Sequence, residues 1–157
     1  MSVSIRIGTQ NDLPRVLELV RELAVFENAP NEVEVTLNEM INWGFGTDKI
    51  FDFFVLEKEN IIIGIAVYYY KYSTWKGKCL FLEDIIVTEN ERKNGYGKIL
   101  FNEVVKVAKV HKVRRMEWQV LDWNTPAIEF YKKYQSHLDG EWVNCKLTFE
   151  QIQAMQL

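Results

Sequence analysis

The sequence predicts a mixed α/β (α+β) domain, and three observations carry that prediction. Apolar residues recur at helical spacing in two stretches before residue 46, the period switches to strand-like runs from Phe51 to Val87, and a strand, a helix and a second strand then succeed one another up to Leu121. Strands joined by short polar links favour an antiparallel meander, whereas strand–helix–strand spacing favours a parallel βαβ unit. The expected sheet is therefore mixed, mainly antiparallel and flanked by helices. At 157 residues the chain is long enough to close one core, so a single domain over 1–157 is expected.

Each element has its own signal. "SIRIG" alternates around Ile5 and Ile7 as a short strand. Thr9-x-x-Asp12 before Pro14 has the form of a capping box, and Leu13, Val16, Leu17, Val20, Leu23 and Ala24 follow as one helical stripe ending between Phe26 and Pro30. Thr36-x-x-Glu39 opens a shorter helix that "GFG" at 44–46 stops. "FDFFVLE", "IIIGIAVYYYKY" and "CLFLEDIIV" are the meander strands, with "KEN" and "TWKGK" between them. Ile99, Leu100, Val104, Val105 and Ala108 mark a helix to Val110, and "VRRMEWQVL" alternates as the next strand. Asn124 and a first-turn Pro begin a helix over "NTPAIEFYKKY", and "EWVNCKLTF" reads as a closing strand.

Composition narrows the function classes. A hydrophobic share of 48% with 26% charged residues fits a globular protein, and a formal charge of −3 gives no basic footprint for nucleic acid. No stretch approaches the ~18–20 apolar residues of a membrane span, and the N-terminus has no basic segment followed by an apolar one, so a cytoplasmic protein with no membrane partner is expected. Cys79 and Cys145 stand far apart in strand-like runs without zinc spacing; they are expected to be buried free thiols, and no metal is expected.

"ENERKNGYGKIL", residues 89–100, joins a strand to a helix through two glycines one residue apart. Such a turn exposes backbone N–H groups at a positive helix end, a combination that holds pyrophosphate without a cationic cluster. A P-loop is excluded because Gly97-Lys98 is followed by Ile99, and a dinucleotide fingerprint fails at Leu100, where a third small residue belongs. Taken alone, the turn reads equally well as a structural loop.

Arg92-Lys93-Asn94-Gly95-Tyr96-Gly97 resembles the [RQ]xxGx[GA] acetyl-CoA turn of the GNAT N-acetyltransferase superfamily, and the order of elements is similar to that superfamily over nearly the whole chain. "ELAVFE" at 22–27, "YYYKYSTWKGKCLFLEDIIV" at 68–87 and "WQVLDWNTPAIEFYKK" at 118–133 narrow the resemblance to the diamine (spermidine/spermine N1-) acetyltransferases. The resemblance implies a GNAT-type sheet whose βαβ unit carries acetyl-CoA, and direct acetyl transfer to a primary amine of a small polyamine or diamine. It further implies a cofactor site made of Ile85, Ile86, Val87, Arg92, Lys93, Asn94, Gly95, Tyr96, Gly97, Lys98, Asn124 and Tyr131. Asn124 reads equally as the cap of its helix. A homodimer is also implied; the Trp- and Tyr-rich strands suit a subunit contact or a core.

The chemistry sets three needs: a held cofactor, a site that binds and deprotonates an ammonium of pKa about 10.4, and a proton donor for the leaving thiolate. Glu83 and Asp84 interrupt an apolar strand, where adjacent residues are expected to face opposite sides, so one carboxylate is expected in a buried face or cleft. One acid pairs with a distal ammonium and the other, Glu83, accepts the reacting proton; a sheet-edge or bulge carboxylate paired to Arg or Lys is the alternative. Glu27 and Trp75 resemble residues lining the polyamine channel, where an aromatic face suits methylenes and charge. The resemblance makes Tyr131 the general acid, although its spacing equally allows a core tyrosine. The family commonly has a glycine where this chain has Gln135, so the turn after the Tyr131 helix is expected to differ. Two other readings remain: the same fold acetylating thialysine-like, lysine-like or protein amines, and a non-catalytic acyl-CoA-binding module.

Overall fold

The strand-like runs from Phe51 to Val87 become neighbouring strands β2 (Asp52–Lys58), β3 (Ile61–Ser73) and β4 (Gly77–Val87). With β1 (Val3–Ile7) on one side and β5 (Met116–Glu117) on the other, they make a five-stranded sheet in the order β1-β2-β3-β4-β5. The first four strands are antiparallel, and β5 runs parallel to β4 through Leu80↔Met116 and Phe81↔Glu117. The expected mixed, mainly antiparallel sheet is the one observed. This computed structural model describes residues 2–156 and divides into two units, Met1–Gln119 and Val120–Leu157.

Helix α1 (Leu13–Phe26) follows a short 3-10 turn in which Thr9 N–H donates to Asp12 Oδ2 at 2.7 Å; Arg6 grips the same carboxylate at 2.7 and 2.9 Å and holds it down to about 2. Helix α2 (Leu37–Phe45) begins at the predicted Thr36–Glu39 box and ends at Gly46. Leu13, Val16, Leu17, Leu19 and Met40 of these helices pack on Phe53, Val55, Ile65 and Ile86, one face of the sheet. Alternate positions turn to the opposite face, which α3 (Tyr96–Val110) covers with Leu100, Phe101 and Val104, all at most 2% exposed. The β2–β3 hairpin closes on Glu59 and Asn60 with φ of 52° and 63°, the left-handed pair that a two-residue hairpin requires.

Two predicted strands differ. "VRRMEWQVL" contributes only Met116–Glu117, because the ladder to β4 stops at Phe81, two residues before β4 changes register against β3. "EWVNCKLTF" forms no strand: 141–147 has no ladder partner among the described residues, and Thr148-x-x-Gln151 closes a capping box that starts α5 (Phe149–Ala154). Cys145, expected to be buried in that strand, is therefore exposed, whereas Cys79 is buried as a free thiol.

The second unit also contains α4 (Thr125–Lys132), capped by Asn124, whose side chain accepts from Ala127 N–H at 3.4 Å. Beyond α4, Tyr134 and Gln135 N–H donate to the carbonyls of Tyr131 and Lys132 at 3.0 and 2.9 Å. Gln135 sits at φ 55°, a left-handed conformation that suits a glycine and is here adopted by a residue with a Cβ. Gln135→Gly should accordingly stabilise the fold by about 0.5 kcal/mol, the relieved strain exceeding the extra chain entropy of glycine. Thermal unfolding checks this: a rise of about 2 °C is expected, and a fall would contradict the strained turn.

Candidate active site

The register of β4 decides where its acids go. Val67 pairs with Asp84 but Tyr68 pairs with Leu82, leaving Glu83 as an extra residue in a β-bulge. The bulge breaks the alternation expected of adjacent residues. Asp84 lies opposite Val67, which packs on the α1–α2 core, and Glu83 accepts a hydrogen bond at 3.0 Å from Tyr69, two residues from Val67 and on the same face of β3. Both carboxylates thus serve one side of the sheet.

A third acid joins them. Glu27 caps the C-terminus of α1, where the helix dipole disfavours an anion, so something other than helix stability accounts for it. Burial pushes the Asp84 carboxyl up to about 7, with the negative charges of Glu83 and then Glu27 adding to the effect. Burial likewise raises the Glu27 carboxyl. Such a group gains a cation readily, because an ammonium removes both the repulsion and the need to hold a proton.

The glycine turn follows β4 directly and is held by four tethers. Thr88 Oγ1 donates to Glu22 of α1 at 2.9 Å, Lys58 of β2 reaches Glu91 at 2.8 Å, Arg92 Nε donates to the Val87 carbonyl at 3.0 Å, and Asn94 donates to the Glu91 carbonyl at 3.1 Å. Arg92 also lays its guanidinium 4.9 Å from the ring centre of Phe26, so its side chain scaffolds the turn. Lys93 and Lys98 are exposed. Lys93 at φ 68° and Gly95 at φ 79° make the left-handed steps that aim the first N–H groups of α3 outward. Gly97 has no positive φ, and a Cβ built there would meet nothing within 4 Å. Neither backbone conformation nor internal packing asks for glycine at 97, and that open cradle fits a phosphate-bearing ligand seated against the backbone.

Of the strand residues assigned to the cofactor, Ile86 is buried in the α1–α2 core, while Ile85 and Val87 are half-buried. An open cleft of about 590 Å3 runs between α1 and the start of the turn, lined by Glu22, Val25, Phe26, Thr88, Asn90 and Arg92. Trp75 is 80% exposed at the tip of the β3–β4 hairpin, two residues before Gly77, from which six β4 steps, a strand length of about 20 Å, lead to Glu83. Tyr131, half-buried in the last turn of α4, meets Phe130 edge-on at 5.1 Å. The sequence allows a bulge here only as the seat of a carboxylate paired to Arg or Lys, whereas Glu83 is bonded to Tyr69 instead; Tyr69 and the Lys58–Glu91 tether have no sequence signal, since both join residues far apart in the chain.

The chain was compared with known proteins. The model of the acetyltransferase (GNAT) family matches residues 16–135. Thialysine N-epsilon-acetyltransferase of Bos taurus is 33% identical over 83% of this chain and 81% of its own length. Spermidine/spermine N(1)-acetyltransferase-like protein 1 of Homo sapiens is 31% identical over 81% of this chain, a match that spans 19% of that longer protein. Among solved structures, an integron cassette protein from the mobile metagenome of V. cholerae superposes with a TM-score of 0.79 at 18% identity, covering 98% of this chain and 96% of that one, a likeness of fold.

The raised Asp84 carboxyl has a consequence for stability. Folding lifts it from an ordinary 3.8 to about 7, so between those values the folded protein holds a proton that the unfolded chain releases, and stability falls as pH rises through that window. Asp84→Asn, which cannot ionise, should raise the melting temperature above pH 7 by on the order of 5 °C and leave it nearly unchanged near pH 4. A lower melting temperature at pH 8 would contradict the burial of this group.

Proposed function

The chain belongs to the acetyltransferase (GNAT) family, and from that premise we propose that it is an N-acetyltransferase carrying the acetyl group of acetyl-CoA directly to a primary amine of a polyamine or diamine such as spermidine or spermine. The observation that carries the acceptor is the gathering of Glu27, Glu83 and Asp84 on one side of the sheet. A polycation satisfies such a site throughout its length, whereas an amino acid brings a carboxylate of its own that these acids repel.

Acetyl-CoA, when bound, supplies the acetyl group as a thioester. The backbone from Arg92 to Gly97, with Lys93, Asn94, Tyr96 and Lys98, would hold the pyrophosphate at the N-terminus of α3, and Ile85 to Val87 would contact the rest of the cofactor. Asp84 and Glu27 pair with the substrate's ammonium groups; Trp75, about 20 Å away along β4, lies beyond the reach of a spermidine held by these acids within one chain. Glu83 accepts the proton of the attacking ammonium, directly or through water. As the C–N bond forms and the C–S bond breaks, Tyr131 would protonate the departing sulfur, the amide nitrogen would shed its second proton to solvent and Tyr131 would regain one from there; this role, like the cofactor contact of Asn124, rests on the sequence motif they share with diamine acetyltransferases. A single acetyltransferase domain is part of the same reading, supported by a family match that runs across the boundary between the two units. So are a homodimer, supported by the exposed Tyr72 and Trp75, and a cytoplasmic location. No helix among the described residues is long and apolar enough to cross a membrane.

A second reading is favoured by the thialysine acetyltransferase relatives: a lysine-like side-chain amine as acceptor, with the same residues in the same roles. Release of CoA with spermidine, spermine, putrescine, thialysine and lysine compared side by side separates the two. A polyamine is expected to turn over fastest, and dominance of thialysine would overturn the substrate claim while keeping the chemistry. For the preferred amine, kcat/KM should fall about tenfold per pH unit below pH 7, as Asp84 takes up the proton that competes with the ammonium. Gly97→Ala should leave the melting temperature unchanged or slightly higher while raising the KM for acetyl-CoA at least about tenfold. An unchanged KM would remove the turn from the cofactor site.

A further inference from the structure

We propose that Tyr69 is the positioning residue for Glu83: its phenol donates to Glu83 Oε2 at 3.0 Å and fixes one carboxylate oxygen, so that the other is presented to the amine beside Asp84. The proposal rests on the reading above, in which Glu83 accepts the ammonium proton.

Glu83 needs a tether because the bulge leaves it with no Cα partner on β3, making it the least constrained residue of that stretch of strand. Tyr69 can supply one because its own ring is fixed, stacked on Phe81 with centroids 5.3 Å apart. Phe81 in turn lies under Lys71 Nζ at 5.5 Å, and Lys71 is anchored to Glu117 at 3.0 Å. The flanking tyrosines face elsewhere. Tyr68 stacks on Phe54 at 5.7 Å, and Tyr70 meets Lys78 and the His111 ring at the end of α3. Of the three consecutive tyrosines, Tyr69 alone reaches the acids.

The chemical type of the tether matters as much as its position. The charged and titratable groups facing Glu83 are Asp84 on its own strand, Glu27 from α1 and Tyr69 from β3. Lys71 and Arg115 are both paired with Glu117. A neutral phenol orients a carboxylate without neutralising it, whereas a lysine or arginine in its place would cancel the charge that the ammonium must find. Burial and the negative charge of Glu83 push the Tyr69 phenol up to about 12, so it stays a donor across the working range.

Tyr69→Phe keeps the ring and its stacking on Phe81 and removes only the donor. With spermidine or thialysine, whichever the wild type turns over faster, kcat/KM for the amine should fall about tenfold while the KM for acetyl-CoA holds. The loss should fall on kcat, with the KM for the amine little changed, because the proton acceptor is misplaced while Asp84 and Glu27 still bind the ammonium groups. In a Glu83→Ala background the same change should have no further effect. A loss confined to the KM for the amine, or an equal loss in both backgrounds, would reduce Tyr69 to a packing residue and overturn the proposal alone. A wild type that turns over neither amine would overturn the acetyltransferase reading, and this inference with it.

Discussion

One extra residue in β4 governs the rest of the site. Were Glu83 and Asp84 to alternate as ordinary strand neighbours, one carboxylate would face α3 and the apolar layer of Leu100, Phe101 and Val104, an unpaired charge in a dry core. The bulge absorbs Glu83 without a partner and brings both acids to the α1–α2 side, where Glu27 closes the group. It also bends the strand beyond Phe81, where the ladder to β5 ends. A gathered acid cluster and a β4 edge without a partner are thus two results of one local register shift.

The arrangement sets function against stability. Three like charges at the end of a helix and in a half-buried strand repel one another, and Asp84 relieves part of that by holding a proton near neutrality. Stability is recovered elsewhere, in the continuous core of α1, α2 and the central strands and in the tethers that fix the glycine turn. Those tethers use side chains of α1, β2 and the turn itself, so the loop is prearranged and leaves its backbone N–H groups for a ligand.

Much of this was legible in the sequence, and the reasons differ from element to element. The capping boxes at Thr9 and Thr36, the helical stripes and the meander follow from short-range rules, and they appear where those rules put them. The positive φ of Gly95 follows from local chemistry in the same way. Alternation over 141–149 points to a strand, but Thr148-x-x-Gln151 is a helix start that takes the end of that run, and 141–147 has no ladder partner among the described residues. A bulge at Glu83 and Asp84 is one option the sequence leaves open, but its consequence, both acids on one face, depends on which β3 residue meets which β4 residue, a long-range pairing. Tyr69 was hidden for the same reason: nothing in "YYYKY" says which tyrosine faces the acids.

The most direct test of the account is a carbon-13 NMR titration of the Asp84 side-chain carboxyl, with and without spermidine. The account predicts a midpoint near 7 in the free protein, as burial and the neighbouring acids require, and a marked fall when the amine binds and supplies the missing positive charge. A midpoint in the ordinary carboxylate range, unmoved by spermidine, would mean that the bulge does not build an ammonium site.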